Sequence, residues 1–406
     1  MMDKQIADDL SSNFRAYHGK LYGALLNQFG TAYLDDIDDV IQNTLIKAMR
    51  IWKPNQTPEK KESWLFIVAK NEMINHIKAK GRREQSQLPA ETEASSSQLE
   101  DLRLKTILFL ASQDDLSKKA KVLVILKNIF GLHVSEISTA TLMGEEAIHK
   151  LLNRTKKKLT AMSFKDGLEE LTIDVEEADL AIVEEILYAV FSVGFDSFDP
   201  KKNTVVNDDL CLESMALTQL LWQTYQRLTT QNLLALFCFH CTRLPAKVQN
   251  GKLIPFALQD RSKWNSDLYN RGFHYLVRPE VLDPYYLEAL IISKHMSASE
   301  DNADHWQAIV KLYELWSSTS SSPLIRLNLA YSLYMAQESK EAHQLIDQLE
   351  QELPAGHFYL SMIKAAMIKE QDPVEYRNMV EKVMDGLDHQ MRRSYLGSLL
   401  GKGFDT

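Results

Sequence analysis

A run of cationic and amide side chains lies near residue 75 of this 406-residue chain. Lysine and arginine neutralise phosphates, and asparagine can pair with base edges. Residues 45–83 hold ten basic and three acidic side chains. Helical periodicity places one polar set on the face opposite the apolar residues: Lys70, Asn71, Asn75, Lys78, Lys80 and Arg82. The pattern predicts binding to a polyanion, with an ordinary amphipathic helix as the alternative.

The preceding segment is amphipathic and acidic. Its apolar residues, among them Ile37, Ile41 and Leu45, fall on one helical stripe. The polar residues of another face are Asp35, Asp36, Asp39, Gln42 and Asn43. Acidic residues in a first turn suit the positive end of the helix dipole. Taken alone, such a face is more typical of a solvated surface than of a binding site.

A second pattern over residues 119–159 reads as helix, helix, tight turn and helix. Gly144 supplies the turn, and a last helix over 145–159 is predicted to enter a DNA groove. The polar candidates on that helix are Glu145, His149, Lys150, Asn153, Arg154, Lys156 and Lys157. An ordinary helical hairpin is the alternative.

Charge divides the chain. Residues 1–160 carry a net charge of +4, and the remainder carries −13, so only the N-terminal part is expected to meet nucleic acid. Residues 84–100 are polar and rich in Ser and Glu, which predicts a flexible linker. Eleven Pro and 15 Gly are few for this length and favour helices.

The first two helices resemble region two of sigma factors of the extracytoplasmic-function type. Asp39 and Gln42 match the "D-x-x-Q" motif that binds the clamp helices of RNA polymerase. The next helix, which begins at Trp64, resembles the family's −10 recognition helix. Asn75 stands where the family usually has Asp, and Lys78 where it has Arg. These departures affect the expected promoter preference, because Lys does not replace Arg at a bidentate site.

Residues 119–159 resemble sigma region four, which reads the −35 element as duplex. Leu151 stands where relatives often carry a basic residue. The resemblance implies an all-α chain without region three. Its parts are a region-two domain (1–83), the flexible linker (84–100), a region-four helix-turn-helix domain (101–162), a connector (163–179) and a C-terminal domain (180–406).

The C-terminal part resembles the helical, tetratricopeptide-like extension of one sigma subgroup. The most specific segment, Gln259–Trp264, contains the regulatory-contact candidates Asp260, Arg261 and Trp264, for which an internal structural role is the favoured alternative. Ser339 and Pro373 begin similar segments offset by 34 residues, the tetratricopeptide period. A generic array of helical hairpins explains this offset equally well. The extension is expected to regulate the sigma domains.

The sequence therefore predicts a cytoplasmic sigma factor that binds core RNA polymerase and promoter DNA. It contains no Gly-rich phosphate loop, HExxH motif or nucleophile elbow, so we expect no enzyme, no cofactor, no metal and no small-molecule substrate. No stretch approaches the length of a membrane span, so no membrane partner is expected. The alternative function is a stand-alone helix-turn-helix regulator with a protein-interaction domain.

Overall fold

The structure, a computed structural model, describes residues 14–52, 57–79, 95–141, 143–162, 175–197, 203–298, 302–354 and 356–401. Over these residues the chain is helical apart from one two-stranded hairpin, which confirms the all-α prediction. No helix among them has the length and apolar character needed to cross a bilayer. The chain divides into two compact units.

The first unit comprises residues 1–194 and 208–225. Its helices are α1 (Phe14–Phe29), α2 (Leu34–Ile51), α3 (Lys61–Ala79), α4 (Ser96–Ala111), α5 (Lys118–Asn128), α6 (Val134–Thr141), α7 (Glu145–Ala161), α8 (Glu177–Phe195) and α9 (Asp208–Tyr225), with a 3₁₀ turn at Thr31–Tyr33. Apolar residues at helical spacing bury the inner faces of these helices, and α1 is buried on nearly all sides between Leu21 and Phe29.

Helix α4 begins inside the predicted linker, so that prediction is wrong for residues 95–100. Ser95 accepts a hydrogen bond from the backbone of Gln98, and the Gln98 side chain accepts one from the backbone of Ser95. This capping box satisfies two free donors at the helix start. Leu99 is buried, which adds an anchor that the polar composition concealed. Residues 84–94 of the predicted linker lie outside the described residues.

Two glycines of α1 permit unusually close packing of α1 on α4 and on the end of α5. A Cβ atom on Gly19 would lie 1.9 Å from the carbonyl oxygen of Ile129, and one on Gly23 would lie 2.9 Å from Cα of Arg103. Thr106 of α4 adds a hydrogen bond from its hydroxyl to the carbonyl of Gly23, at 3.2 Å. The predicted region-two and region-four helices therefore belong to one packed unit.

The boundary predicted at residue 180 also differs from the observed one. Helix α8 begins at Glu177, within the predicted connector, and its residues up to Gly194 belong to the first unit together with α9. The hydroxyl of Ser214 in α9 donates to the carbonyl of Leu187 in α8 at 2.6 Å. Two helices of the predicted extension are thus part of the N-terminal unit.

The second unit comprises residues 195–207 and 226–406. Its helices are α10 (Leu228–Thr242), α11 (Leu244–Lys247), α12 (Ser266–Tyr275), α13 (Pro284–Ser297), α14 (Ala303–Thr319), α15 (Pro323–Met335), α16 (Ser339–Glu352), α17 (Phe358–Ile368), α18 (Pro373–Asp385) and α19 (Gln390–Leu399). Strands β1 (Val248–Gln249) and β2 (Lys252–Leu253) pair antiparallel, and 3₁₀ turns span Phe256–Leu258 and Arg261–Lys263.

Consecutive helices pair along the end of the second unit. Helix α15 packs on α16, and α17 packs on α18. Ser339 and Pro373, which the sequence relates by an offset of 34 residues, are the first residues of α16 and α18, the second helix of each pair. The repeat is therefore an array of helical hairpins, and its tetratricopeptide character stays a prediction.

We expect Gly19→Ala to destabilise the chain by about 1–3 kcal/mol, because the added methyl group overlaps the Ile129 carbonyl. Helix propensity predicts the opposite sign, a gain of about 1 kcal/mol for Gly→Ala within a helix. The measurement is the urea denaturation midpoint. Gly144→Ala is the control, since no atom lies within 4 Å of its Cβ position; a stabilised Gly19→Ala variant would contradict the packing account.

Candidate binding surfaces

Helix α2 presents a polar and apolar face to solvent. Its other face is buried through Leu34, Ile37, Val40, Ile41, Thr44, Leu45 and Ala48. Of the predicted polymerase-binding residues, Asp35, Asp39, Gln42 and Asn43 are exposed. The spacing of three and four residues places Asp39, Gln42 and Asn43 on one strip of the helix surface.

Asp36 does not lie on that strip, and its predicted role is corrected by the structure. It is 2% exposed, and its carboxylate oxygen lies 3.2 Å from Nε2 of His76 in α3. The sequence showed four acidic residues in a row of five but could not show which of them faces α3. Asp36 therefore contributes to packing within the unit.

Two apolar residues that the sequence analysis missed extend the exposed strip of α2. Ile46 is 47% exposed and Met49 is 51% exposed. They follow Gln42 and Asn43 at helical spacing, which is the signal that could have revealed them. Exposed large apolar residues beside fixed polar groups are typical of a surface that binds another protein. We call the set Asp39, Gln42, Asn43, Ile46 and Met49 the α2 strip.

Helix α3 exposes three of the predicted −10 residues. Asn71, Asn75 and Lys78 are exposed and lie along one face at spacings of four and three residues. Trp64, at the start of the helix, is half-buried and packs edge-on against Trp52, with 5.5 Å between ring centroids. Amide, ammonium and aromatic groups of this kind can bind bases and phosphates.

Lys70 does not lie on the exposed face of α3 as predicted, and two further candidates lie outside the described residues. Lys70 is only 5% exposed, because the buried face of α3 is wide enough to include it. Its ammonium is therefore not available on the surface as predicted. Lys80 and Arg82 lie outside the described residues.

Helices α6 and α7 occupy the residues of the predicted helix-turn-helix, whose role in DNA binding stays a prediction. Gly144 precedes α7 with extended backbone, and the Ser138 hydroxyl donates to the carbonyl of Met143 at 2.7 Å, which closes the turn. Ile148 and Leu159 are buried. The predicted −35 residues that are exposed are Glu145, His149, Lys150, Asn153, Arg154 and Lys157. The structure thus brings six of seven candidates onto the solvent side of one helix.

The seventh candidate, Lys156, is half-buried and contacts α2. Its Nζ atom lies 2.7 Å from Asp35 and 3.3 Å from Asp38. Burial alone would lower the pKa of Lys156, but the hydrogen bond and charge of Asp35 and the charge of Asp38 raise it. Burial raises the pKa of Asp38, against the effect of Lys156. The sequence analysis placed Asp35 and Lys156 in two separate binding sites, and the structure brings their side chains into contact.

A second ion pair connects α1 with α6. The Arg15 Nη2 atom donates to both carboxylate oxygens of Glu136, at 2.9 and 2.8 Å. Glu136 is buried and also accepts from the backbone of His133 at 2.8 Å. Helix α6 therefore has a charged contact with α1, and α7 has one with α2.

In the second unit, the predicted regulatory residues make internal contacts. The exposed Asp260 accepts hydrogen bonds from the backbone and the hydroxyl of Ser262, and these bonds lower the pKa of its carboxyl. Arg261 donates to the carbonyls of Met296 and Ala298 at the end of α13, and it stacks on Trp264. Trp264 is half-buried. These contacts support the internal role that the sequence favoured.

The Cys and His residues of α10 are the next candidates for a metal site. Cys238 and Cys241 are buried thiols, and burial raises the pKa of Cys238 to about 12. Nε2 of His240 lies 4.0 Å from Glu288, and burial lowers the pKa of His240. Over the part of the chain that the structure describes, no group of three or more such side chains could hold a metal ion.

Comparisons with known proteins bear on both units. Residues 14–83 match the family model of sigma-70 region 2, and residues 179–279 match a family of unknown function, DUF6596. An uncharacterized protein of Rhizobium meliloti (strain 1021) is 26% identical over 368 residues, which are 86% of this chain and 84% of that protein. No solved structure matches the chain. The region-2 match covers α1–α3, including the α2 strip, and supports a role of these helices as a sigma-70 region 2 in transcription initiation.

Proposed function

We propose that the chain is a sigma factor of the extracytoplasmic-function type with a fused regulatory extension. The α2 strip is the observation that carries this proposal, because it combines exposed polar groups with two large exposed apolar side chains on one side of a helix. On this proposal the strip binds core RNA polymerase. The activity is binding rather than catalysis, and it takes place in the cytoplasm.

The two DNA contacts have different chemistry. The exposed face of α3 suits a melted −10 strand, since Asn71 and Asn75 can pair with bases and Lys78 can bind a phosphate. The exposed face of α7 suits the −35 duplex, with its N-terminal residues at the bases. Lys157 and Arg154 on the same helix supply cations for phosphates.

The extension has two parts on this proposal. Helices α8 and α9 complete the first unit, and the second unit, including the helical hairpin array, is the regulatory module. The neighbouring Asp260, Arg261 and Trp264 then stabilise that module from within. A stand-alone helix-turn-helix regulator remains the competing function, and it would not need the α2 strip.

We expect the double variant D39A/Q42A to lose affinity for bacterial core RNA polymerase by at least about tenfold, since a hot-spot truncation costs about 2 kcal/mol or more. Binding is measured by fluorescence anisotropy of the labelled full chain. Q344A/D347A is the matched control, because it removes an exposed Gln and Asp three residues apart on α16. Equal affinities of both variants would favour the stand-alone regulator.

We expect Lys78→Gln to flatten the salt dependence of binding to a mixed-sequence single-stranded 20-mer. Loss of one phosphate contact lowers the slope of log K against log salt by about 0.7 for single strands. The measurement is a salt titration of the chain bound to core polymerase. Lys294→Gln, at an exposed position of α13, should leave the slope unchanged; the same slope for Lys78→Gln would remove Lys78 from the DNA contact.

We expect removal of residues 226–406 to change run-off transcription while the first unit stays folded, because α8 and α9 are retained. Removal of everything after residue 170 would also take away α8 and α9 and should destabilise the remaining helices. The loss of the helical circular dichroism signal on heating shows whether each fragment is folded. A change in transcription by a folded fragment then reports regulation rather than unfolding. Wild-type transcription by the folded 1–225 fragment would contradict a regulatory role for the second unit.

A further inference from the structure

Arg103 is a completely buried cation at the centre of the first unit. It lies in α4 and is 0% exposed. Its Nη2 atom donates to the carbonyl of Ile129 at 3.1 Å, and its guanidinium lies over the ring of Phe130 with 4.9 Å to the centroid. A buried cation is costly unless a carboxylate and hydrogen bonds compensate it.

Two carboxylates compensate Arg103, and one of them belongs to the extension. Oε2 of Glu213 in α9 lies 3.3 Å from Nη2, and Oε2 of Glu100 lies 3.7 Å from Nη1. The Glu213 side chain is the less exposed of the two, at 13% against 26%. Glu100 is also shared with Lys20, at 3.0 Å. Glu213 is therefore the carboxylate committed to Arg103.

Hydrogen bonds satisfy only some of the polar atoms of Arg103 and Glu213. Among the described residues, Nε and Nη1 of Arg103 and Oε1 of Glu213 are buried without a hydrogen-bond partner. The compensation therefore depends on charge rather than on a complete hydrogen-bond network. Without the Glu213 charge, Glu100 would be the remaining carboxylate beside Arg103. Glu100 also forms an ion pair with Lys20, so its charge is shared between two cations.

The contact between the region-two and region-four helices is built directly on Arg103. Its Cα atom limits the space beside Gly23, its Nη2 atom lies 3.0 Å from the Cβ position of Gly19, and its hydrogen bond fixes the carbonyl of Ile129 against α1. The Arg103 side chain therefore lies within the contact of α1 with α4 and α5, and a change in its position affects that contact.

Promoter binding requires that contact to open. At about 3.4 Å per base pair, positions −10 and −35 are roughly 85 Å apart on straight duplex. The region-two and region-four parts are each small enough to have a diameter of roughly 30 Å. Two such parts in contact cannot place their centres as far apart as the two promoter elements. The packed arrangement of α1, α4 and α5 is thus a closed form that must separate before both elements are bound.

We propose that Glu213 is a positioning residue by which the extension holds region four against region two, acting through Arg103. The inference rests on the proposed function and deepens it, since it gives the extension a specific contact with the sigma helices. With the carboxylate in place the closed form is favoured. Without it Arg103 is undercompensated, and the fraction of chains with separated regions rises.

The test measures the separation directly in the full chain. Nitroxide labels at Lys60→Cys and Lys119→Cys, both exposed, report the distance between the two regions by pulsed electron paramagnetic resonance. The three native cysteines are buried, so labelling is directed to the introduced ones. The wild-type chain should show one short distance, and Glu213→Gln should raise the longer-distance population roughly tenfold.

The matched control is Glu185→Gln. It removes another carboxylate of the extension that pairs with region four, but the Lys118–Glu185 pair is exposed and contributes little. Glu213→Asp keeps the charge on a shorter side chain and should raise the separated population by only about threefold. This graded response to charge is not expected of a residue that merely fills space.

A folded Glu213→Gln chain with wild-type distances would overturn the proposal, as would an equal effect of Glu185→Gln. If Glu213→Gln does not fold, Glu213→Asp decides in the same way, and an unchanged distance distribution overturns the proposal. The readout needs neither polymerase nor promoter. A chain that opens as expected but does not bind core polymerase would refute the proposed function and leave the role of Glu213 intact.

Discussion

The closeness of α1 to α4 is the constraint on which the first unit depends. Only glycine at positions 19 and 23 lets the two helix backbones approach with Arg103 between them. The approach buries a guanidinium completely, and that charge then dictates where carboxylates must lie. Glu100 comes from the same helix and Glu213 from the extension. The close packing of α1 on α4 therefore also bears on the position of α9, because α9 supplies a carboxylate to the buried Arg103.

Helical periodicity in the sequence predicted most, but not all, of the exposed residues of α2 and α7. Asp39, Gln42 and Asn43 are exposed because the apolar stripe of α2 is regular, and the same holds for the exposed face of α7. Periodicity failed at Lys70 and Asp36 for a common reason. Each lies at the margin of an apolar stripe, and its burial depends on the width of a neighbouring helix face, which the local pattern does not contain.

Domain boundaries could not be predicted because they depend on contacts distant in sequence. The linker composition predicted no structure, yet Leu99 is buried and α4 starts at Ser96 behind a capping box. The capping signal, Ser95 followed by Gln98, was present in the sequence, whereas the pocket that receives Leu99 was not. The assignment of α9 to the first unit likewise requires knowledge that Glu213 meets Arg103, 110 residues away.

The first unit contains ion pairs that are exposed to solvent and ion pairs that are largely buried, and the two kinds respond differently to a partner. Lys156 pairs with Asp35, whose side chain is 81% exposed, and such pairs contribute about 0–1 kcal/mol because water and salt compete with them. A phosphate or a partner protein can replace them at little cost. The Arg103–Glu213 pair is largely buried, and loss of its carboxylate would leave the buried guanidinium with less compensating charge. The Arg15–Glu136 pair between α1 and α6 also has a buried carboxylate. Exposed pairs can therefore be exchanged for the charges of a partner, whereas pairs with a buried carboxylate, such as Arg15–Glu136 and Arg103–Glu213, hold the helices of the first unit together. On the proposed function, the exposed pairs let the binding surfaces respond to their partners, and the Arg103–Glu213 pair adds a contact of the extension that opposes separation of the two regions.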